Sequence, residues 1–215
     1  MKGELPILYS FRRCPYAIRA RLALYACGQS VELREIKLSQ KVDEFVRVSA
    51  KAEVPVLLLP GGEVLDESLD IMHWALERND PLHWLRNDLG AQTQQLIEEN
   101  DESFKPILDR YKYFDRYPQA SQSEYRQQAD GFLQQMENRL QRSPYLLSDT
   151  ATLVDMALMP FIRQFSGVEP NWFASCEYVR LREWLNGLLA SDLFSTVMTK
   201  YDVWKTGDDI ALFPR

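Results

Sequence analysis

The sequence predicts an α/β unit followed by an all-helical one, and three observations carry that prediction. The first 80 residues alternate short β-like runs with helical ones in the order β-α-β-α-β-β-α. The stretch "NDPLHWLRND", residues 79–88, then interrupts the pattern with Asn, Asp and Pro. Beyond it strand signals stop and long helical periods take over. The expected domains are therefore 1–80 and 88–215, joined by a short linker.

Each element has its own signal. "LPILYS" reads as a strand, and 15–27 reads as a helix with Pro at its first position, Ile18 and Leu22 spaced for one buried face, and Gly28 as terminator. Residues 31–38, "VELREIKL", alternate apolar and charged side chains, which predicts a second strand with one wet face. A weaker helix follows in "KVDEFVRVSA". "VPVLLL" is a continuous apolar strand, "PGG" a turn, "EVL" a short partner strand, and Ser68–Arg78 a helix. That order, with a hairpin near its end, is that of a thioredoxin-like sheet. In the second part the periods predict helices over 89–117, broken near Pro106, and over 123–142, 152–165, 176–190 and 193–204. "TLVD" ahead of the apolar run "MALMPF" has the spacing of a capping box.

Composition narrows the class. A chain of 215 residues that is 46% hydrophobic and 26% charged buries enough surface to fold unaided, and nothing in it is collagen-like or low in complexity. No run approaches the ~18 apolar residues of a membrane span, and the first residues lack the apolar core of a secretory signal, so no membrane association and a cytoplasmic location are expected. With 31 acids against 25 bases, the chain lacks the basic face that nucleic-acid binding requires. Three cysteines and two histidines, scattered without ligand spacing, predict no metal site.

One stretch departs from the acidic average. "SFRRCPYAIRARLAL", residues 10–24, places Arg12, Arg13, Arg19 and Arg21 around Cys14 with no acid between Leu5 and Val31. A thiol of ordinary pKa, ~8.5, is mostly protonated at neutral pH, so a cysteine that attacks needs help. Cys14 precedes Pro15 and so stands at a helix start, where unpaired N–H groups and the helix dipole favour an anion. Arg12 and Arg13 add positive charge, and such surroundings bring a thiol to roughly 3.5 to 7.5. Arg19 and Arg21, farther along the helix, either help to hold a negative sulfur or simply face solvent. Cys27 and Cys176 have no such setting and read as inert, buried thiols. A Cys-x-x-Cys redox pair would need sulfur at 17, where Ala17 stands, so resolution must come from an external thiol.

A holder for that thiol can be sought downstream. A proline opening a buried strand, Pro55, invites an edge position or a cis bond, and the cis form would leave the N–H and C=O of Val54 to pair with an extended peptide beside Cys14. Ser68, at the start of the next helix, is a cap or part of a carboxylate site, and Glu67 can take an amine. Amine and carboxylate together describe an amino-acid head group.

At these residues the chain resembles the glutathione transferase superfamily, and within it the omega-like, cysteine-type members, over nearly its whole length. "CPYA" is similar to the family's Cys-Pro-aromatic-Ala site, "VPVL" to its cis-proline segment and "DES" to its Glu-Ser pair. The resemblance implies a thioredoxin-like domain followed by a helical domain that lines the acceptor site, with glutathione as co-substrate. It implies Cys14 at the sulfur, the Val54 backbone ahead of Pro55 on the cysteinyl unit, Glu67 and Ser68 on the γ-glutamyl end, and Lys41 at the glycyl carboxylate, with Lys51 as a rival cation. It also implies a homodimer.

The leading expectation is a thiol transferase in which Cys14 exchanges with glutathionyl mixed disulfides. Conjugation of glutathione to a small electrophile is the alternative, with the acceptor near Tyr16, Phe104, Tyr111 and Tyr113, aromatics whose helical spacing equally suits a core. In conjugation a hydroxyl, Tyr9 or Ser10, could activate glutathione. A fold that binds glutathione without turnover is the third reading.

Overall fold

The computed structural model describes residues 5–214. The described chain forms two compact units, one running to Leu82 and resuming at Ser191, the other spanning His83–Ala190.

The first unit is built on a five-stranded mixed sheet. Its strands are β1 (Ile7–Ser10), β2 (Val31–Glu35), β3 (Val56–Leu58), β4 (Val64–Leu65) and β5 (Leu212–Phe213), in the spatial order β4-β3-β1-β2-β5. β1 and β2 are parallel, joined through helix α1 (Pro15–Ala26), while β3, β4 and β5 each pair antiparallel with a neighbour. Helices α2 (Asp43–Val48) and α3 (Ser68–Arg78) complete the expected β-α-β-α-β-β-α order. Gly28 ends α1 as expected: it takes φ +74, and a Schellman pair forms from Gly28 N–H to Tyr25 O (3.0 Å) and Gln29 N–H to Leu24 O (3.0 Å).

Helix α1 is buried nearly all round rather than on one face. Arg19 and Arg21 are fully buried, which excludes the alternative that they face solvent. The reason lies in β2, where Val31, Leu33 and Glu35 share the buried register, so an acid stands where a second wet position was expected. Glu35 forms a buried ion pair with Arg21. Arg21 also donates through Nε to Ser10 Oγ (2.9 Å) and through Nη1 to Val197 O (3.2 Å), and its head lies 5.9 Å from the Tyr201 ring and 5.8 Å from the Phe213 ring. The guanidinium of Arg19 lies 5.4 Å from the Tyr16 ring.

The C-terminal segment also departs from expectation. The predicted helix over 193–204 is only the short α11, Asp192–Val197, and the chain then returns to the sheet. Val203 bridges Glu35, Trp204 N–H donates to Glu35 O (2.9 Å), and β5 pairs with β2. Residues 191–214 therefore belong to the first unit and not, as expected, to the helical one. A two-residue strand is too short to show an alternation in the sequence.

The second unit holds α4 (Gly90–Glu98), α5 (Lys105–Lys112), α6 (Gln122–Gln128), α7 (Asp130–Leu140), α8 (Leu153–Ser166), α9 (Pro170–Ser175) and α10 (Val179–Leu189). The interruption expected near Pro106 is a π-helical turn, Glu99–Phe104, between α4 and α5. Proline cannot donate to the carbonyl four residues back, and a wider turn absorbs the mismatch. Helix α8 is almost wholly buried, and the capping box read in "TLVD" closes at its start. Asp155 accepts from Thr152 N–H (2.9 Å), the Thr152 hydroxyl (3.0 Å), Leu146 N–H (3.0 Å) and the Trp184 indole N–H (3.0 Å). Burial pushes its carboxyl up, and those four donors oppose the shift.

Two stability predictions follow from these buried charges. Arg21→Met leaves Glu35 buried without its cation and is expected to cost about 3–5 kcal/mol in urea unfolding, part of which Arg21→Met combined with Glu35→Gln restores. Asp155→Ala orphans several buried donors and is expected to cost about 2–4 kcal/mol by the same measurement.

Candidate active site

Strand β1 ends at Ser10, and the chain turns through Phe11, Arg12 and Arg13 into α1. Cys14 is the N-cap of that helix, with extended backbone (φ −72, ψ 124). Its N–H donates back to Phe11 O (2.9 Å), and its carbonyl accepts the first helical bond from Ile18 N–H (3.0 Å). Pro15 at the first helical position has no N–H to lose, so the sequence Cys-Pro suits this start. The half-buried sulfur packs against a cluster that includes Tyr9, Ala17, Phe45, Val54 and Trp204. Its thiol donates to the Val54 carbonyl at 3.6 Å. The Val54–Pro55 peptide is cis, one of the two forms considered for it. The loop before it carries Ala52 at φ 47, a conformation uncommon outside glycine.

None of the three cysteines forms a disulfide. Cys27 is buried with its thiol on Leu24 O (3.4 Å), and burial pushes that thiol up. Cys176 is half-buried with its thiol on Phe173 O (3.1 Å).

Of the two arginines next to Cys14, Arg12 is committed to structure. Arg12 donates its backbone N–H to Glu35 Oε1 (2.6 Å) and its guanidinium to Met198 O (3.4 Å). Arg13 is exposed, its head 5.3 Å from the Phe11 ring. The helix start thus has an acid beneath it, Glu35, although none lies nearby in sequence.

A second cluster forms at the start of α3. Glu67 is its N-cap and the buried Ser68 its first residue, so Ser68 is not the capping residue. Lys51 donates to Glu67 Oε1 (2.6 Å) and Asp66 Oδ1 (3.3 Å), and these carboxylates hold its ammonium above the usual lysine range. Ser49 Oγ also reaches Asp66 Oδ2 (3.3 Å). Of the two rival cations, Lys51 is therefore the one at this acidic cluster, while Lys41 is exposed in the loop before α2.

The acceptor residues read from the sequence fare differently. Tyr16 is half-buried on α1. Phe104 and Tyr111 are fully buried in the core of the helical unit and present no surface to a substrate, which corrects their assignment as lining residues. Phe104 stacks on Phe132 at 4.5 Å, and Tyr111 lies 4.8 Å from Phe165 with its hydroxyl on Glu169 (2.9 Å). Their helical spacing marks a core face, as such spacing usually does. The alternative hydroxyls are also engaged: Tyr9 accepts from Arg34 (2.8 Å) and Ser10 from Arg21 (2.9 Å), both buried.

A cleft of about 840 Å³ lies elsewhere, over the sheet, lined by Ile7, Glu32, Leu58, Pro60 and Leu212 among others, and includes none of these candidate residues. Among the described residues no group of His, Cys, Asp or Glu could hold a metal ion, and no helix is long and apolar enough to cross a membrane. Glu35 is the residue sequence reasoning missed. Its parity with Val31 and Leu33 was the available signal.

Comparison with known proteins agrees with this architecture. Residues 8–84 match the glutathione S-transferase N-terminal domain and residues 94–187 the glutathione S-transferase C-terminal domain. A probable glutathione transferase of Aplysia californica is 46% identical over 55 residues, 26% of this chain and 60% of that protein. The chain thus spans 60% of the length of that curated relative. Among solved structures, glutathione transferase URE2P6 of Phanerochaete chrysosporium, in complex with oxidized glutathione, superposes with TM-score 0.77 at 18% identity, covering 91% of this chain and 95% of that one. Glutathione transferase Omega 3C of Trametes versicolor gives TM-score 0.75 at 20% identity, covering 93% and 90%. With both domain families matched in order along a thioredoxin-like sheet and a helical unit, the chain belongs to the glutathione transferase superfamily.

Proposed function

We propose that the chain is a glutathione-dependent thiol transferase acting through Cys14 alone. The observation that carries this reading is the half-buried sulfur at the N-cap of α1, against the carbonyl of Val54, with Ala17 where a second cysteine would stand. A helix start favours the thiolate over the thiol, so the sulfur can turn from the Val54 carbonyl toward the first-turn N–H groups on ionising. That carbonyl then suits the N–H of a cysteinyl residue lying alongside.

In the proposed cycle the Cys14 thiolate attacks the glutathionyl sulfur of a mixed disulfide. A Cys14–glutathione S–S bond forms, the original S–S bond breaks, and the other thiolate leaves and takes a proton from water. A second glutathione thiolate attacks the glutathionyl sulfur on Cys14, which releases oxidized glutathione and restores the enzyme. No electron enters or leaves beyond these exchanges. The Val54 backbone beside Pro55 takes the cysteinyl unit, Glu67 and Ser68 the γ-glutamyl end, and Lys41 the glycyl carboxylate, Lys51 being paired with Glu67.

Conjugation through a hydroxyl finds less support. Tyr9 is buried against Arg34, and desolvation raises its phenol although the arginine opposes it, the wrong direction for an activated oxygen. The omega member and the glutathione complex among the similar structures are consistent with the thiol reading, and the family resemblance supports a homodimer. A cytoplasmic setting, where glutathione keeps thiols reduced, suits the same chemistry.

Cys14→Ser is expected to abolish glutathionyl transfer, measured on a glutathione mixed disulfide; full activity in that variant would overturn the mechanism. Incubating the unaltered protein with oxidized glutathione should add about 305 Da, one glutathionyl group, at Cys14. Ser68→Ala is expected to raise the KM for glutathione about tenfold with kcat little changed, because its contact would serve ground state and transition state alike.

A further inference from the structure

We propose that Glu35 is a positioning residue for Cys14, holding the loop that carries the sulfur through the backbone of Arg12. The inference rests on Cys14 being the reacting sulfur. Glu35 is 7% exposed at the end of β2, and its two carboxylate oxygens face different partners. Oε1 accepts the N–H of Arg12 at 2.6 Å, two residues before the sulfur, and Oε2 holds the ion pair with Arg21. Charge-assisted bonds from a buried carboxylate to backbone N–H are short and directional, so this contact fixes the turn in one place.

The carboxylate is itself held from several sides. Arg21 is anchored to Ser10 Oγ and Val197 O, and the backbone of Glu35 accepts from Trp204 N–H (2.9 Å). Ile36 N–H donates to Ser10 O (2.7 Å), which ties the end of β2 to the end of β1 where the loop begins. On the far side of the loop the Arg12 guanidinium reaches Met198 O (3.4 Å). The turn before Cys14 is thus clamped between β2 and the C-terminal segment, with Glu35 as the group common to both. The charge of Glu35, which pairs with Arg21, does not explain its contact with the loop before Cys14, because an anion near a helix start opposes a second anion there. Geometry does: removing the carboxylate releases the Arg12 N–H and with it the approach of the sulfur to a disulfide.

Position and charge predict opposite results for Glu35→Leu, which removes both the anion and the oxygen that accepts the Arg12 N–H. If charge were the only role, the loss of an anion would lower the pH midpoint of Cys14 alkylation by iodoacetamide and leave glutathionyl transfer intact at high pH. Positioning predicts a fall of about tenfold in the plateau kcat of glutathionyl transfer, measured at pH values where alkylation shows the thiol fully ionised. Glu35→Asp keeps an anion for Arg21 but withdraws it from Arg12 by one methylene, about 1.5 Å, and should show the same loss in a protein that folds if the leucine variant does not. A plateau kcat within about twofold of the unaltered protein in the folded variants overturns the inference while leaving the thiol mechanism standing. An unaltered protein that transfers no glutathionyl group overturns both.

Discussion

The first unit depends on one buried ion pair, Arg21 with Glu35. Two charges taken out of water carry a large desolvation cost, offset only when nearly every hydrogen-bonding position is filled. Here the guanidinium meets Ser10, Val197 and Glu35, and the carboxylate meets Arg21 and the Arg12 backbone. Those partners lie at the end of β1, in α1, at the end of β2 and in α11, so the pair can be satisfied only when all four are assembled. An apolar pair would permit several packings, whereas these charges accept one. That is a physical reason for the C-terminal segment to return to the sheet.

The surroundings of Cys14 are built from the consequences of that assembly. The Cys-Pro step places sulfur at a helix start by local conformation alone, since proline suits the first helical position and cannot supply an N–H. Its surroundings are tertiary. Val54 arrives from the loop before β3, and Tyr9, Phe45 and Trp204 close the cluster behind the sulfur from three separate elements. Arg34 completes the packing, with its guanidinium 4.2 Å from the Trp204 ring and its donors on Tyr9, Glu32 and Glu44. Arg12, Arg19 and Arg21 therefore build structure around the cysteine while Arg13 stays exposed, and the backbone N–H groups of α1 favour an anion at that helix start.

The helical unit repeats the principle with a different group. Asp155 has donors from its own helix start, from the loop at Leu146 and from Trp184 on α10, so one carboxylate joins three segments around α8. A second network links Tyr111, Arg126 and Glu169, with the Arg126 head 4.5 Å from the Trp172 ring. Both units thus use a few saturated buried polar groups to specify the packing of surfaces that are otherwise apolar.

The order of elements through Arg78, the helix termini at Pro15 and Gly28, the capping box at Thr152 and the cysteine at a helix start were legible in the chain, because each rests on short-range rules of periodicity and end chemistry. Phe104 and Tyr111 were ambiguous, since helical spacing is the same for a core stripe and a binding face. The burial of Arg19 and Arg21, the acid beneath Cys14, the cation paired with Glu67 and the return of residues 203–213 to the sheet were decided only by tertiary structure. Each depends on groups far apart in sequence meeting in space, and for a charged side chain only the partner it meets determines whether it is solvated or buried.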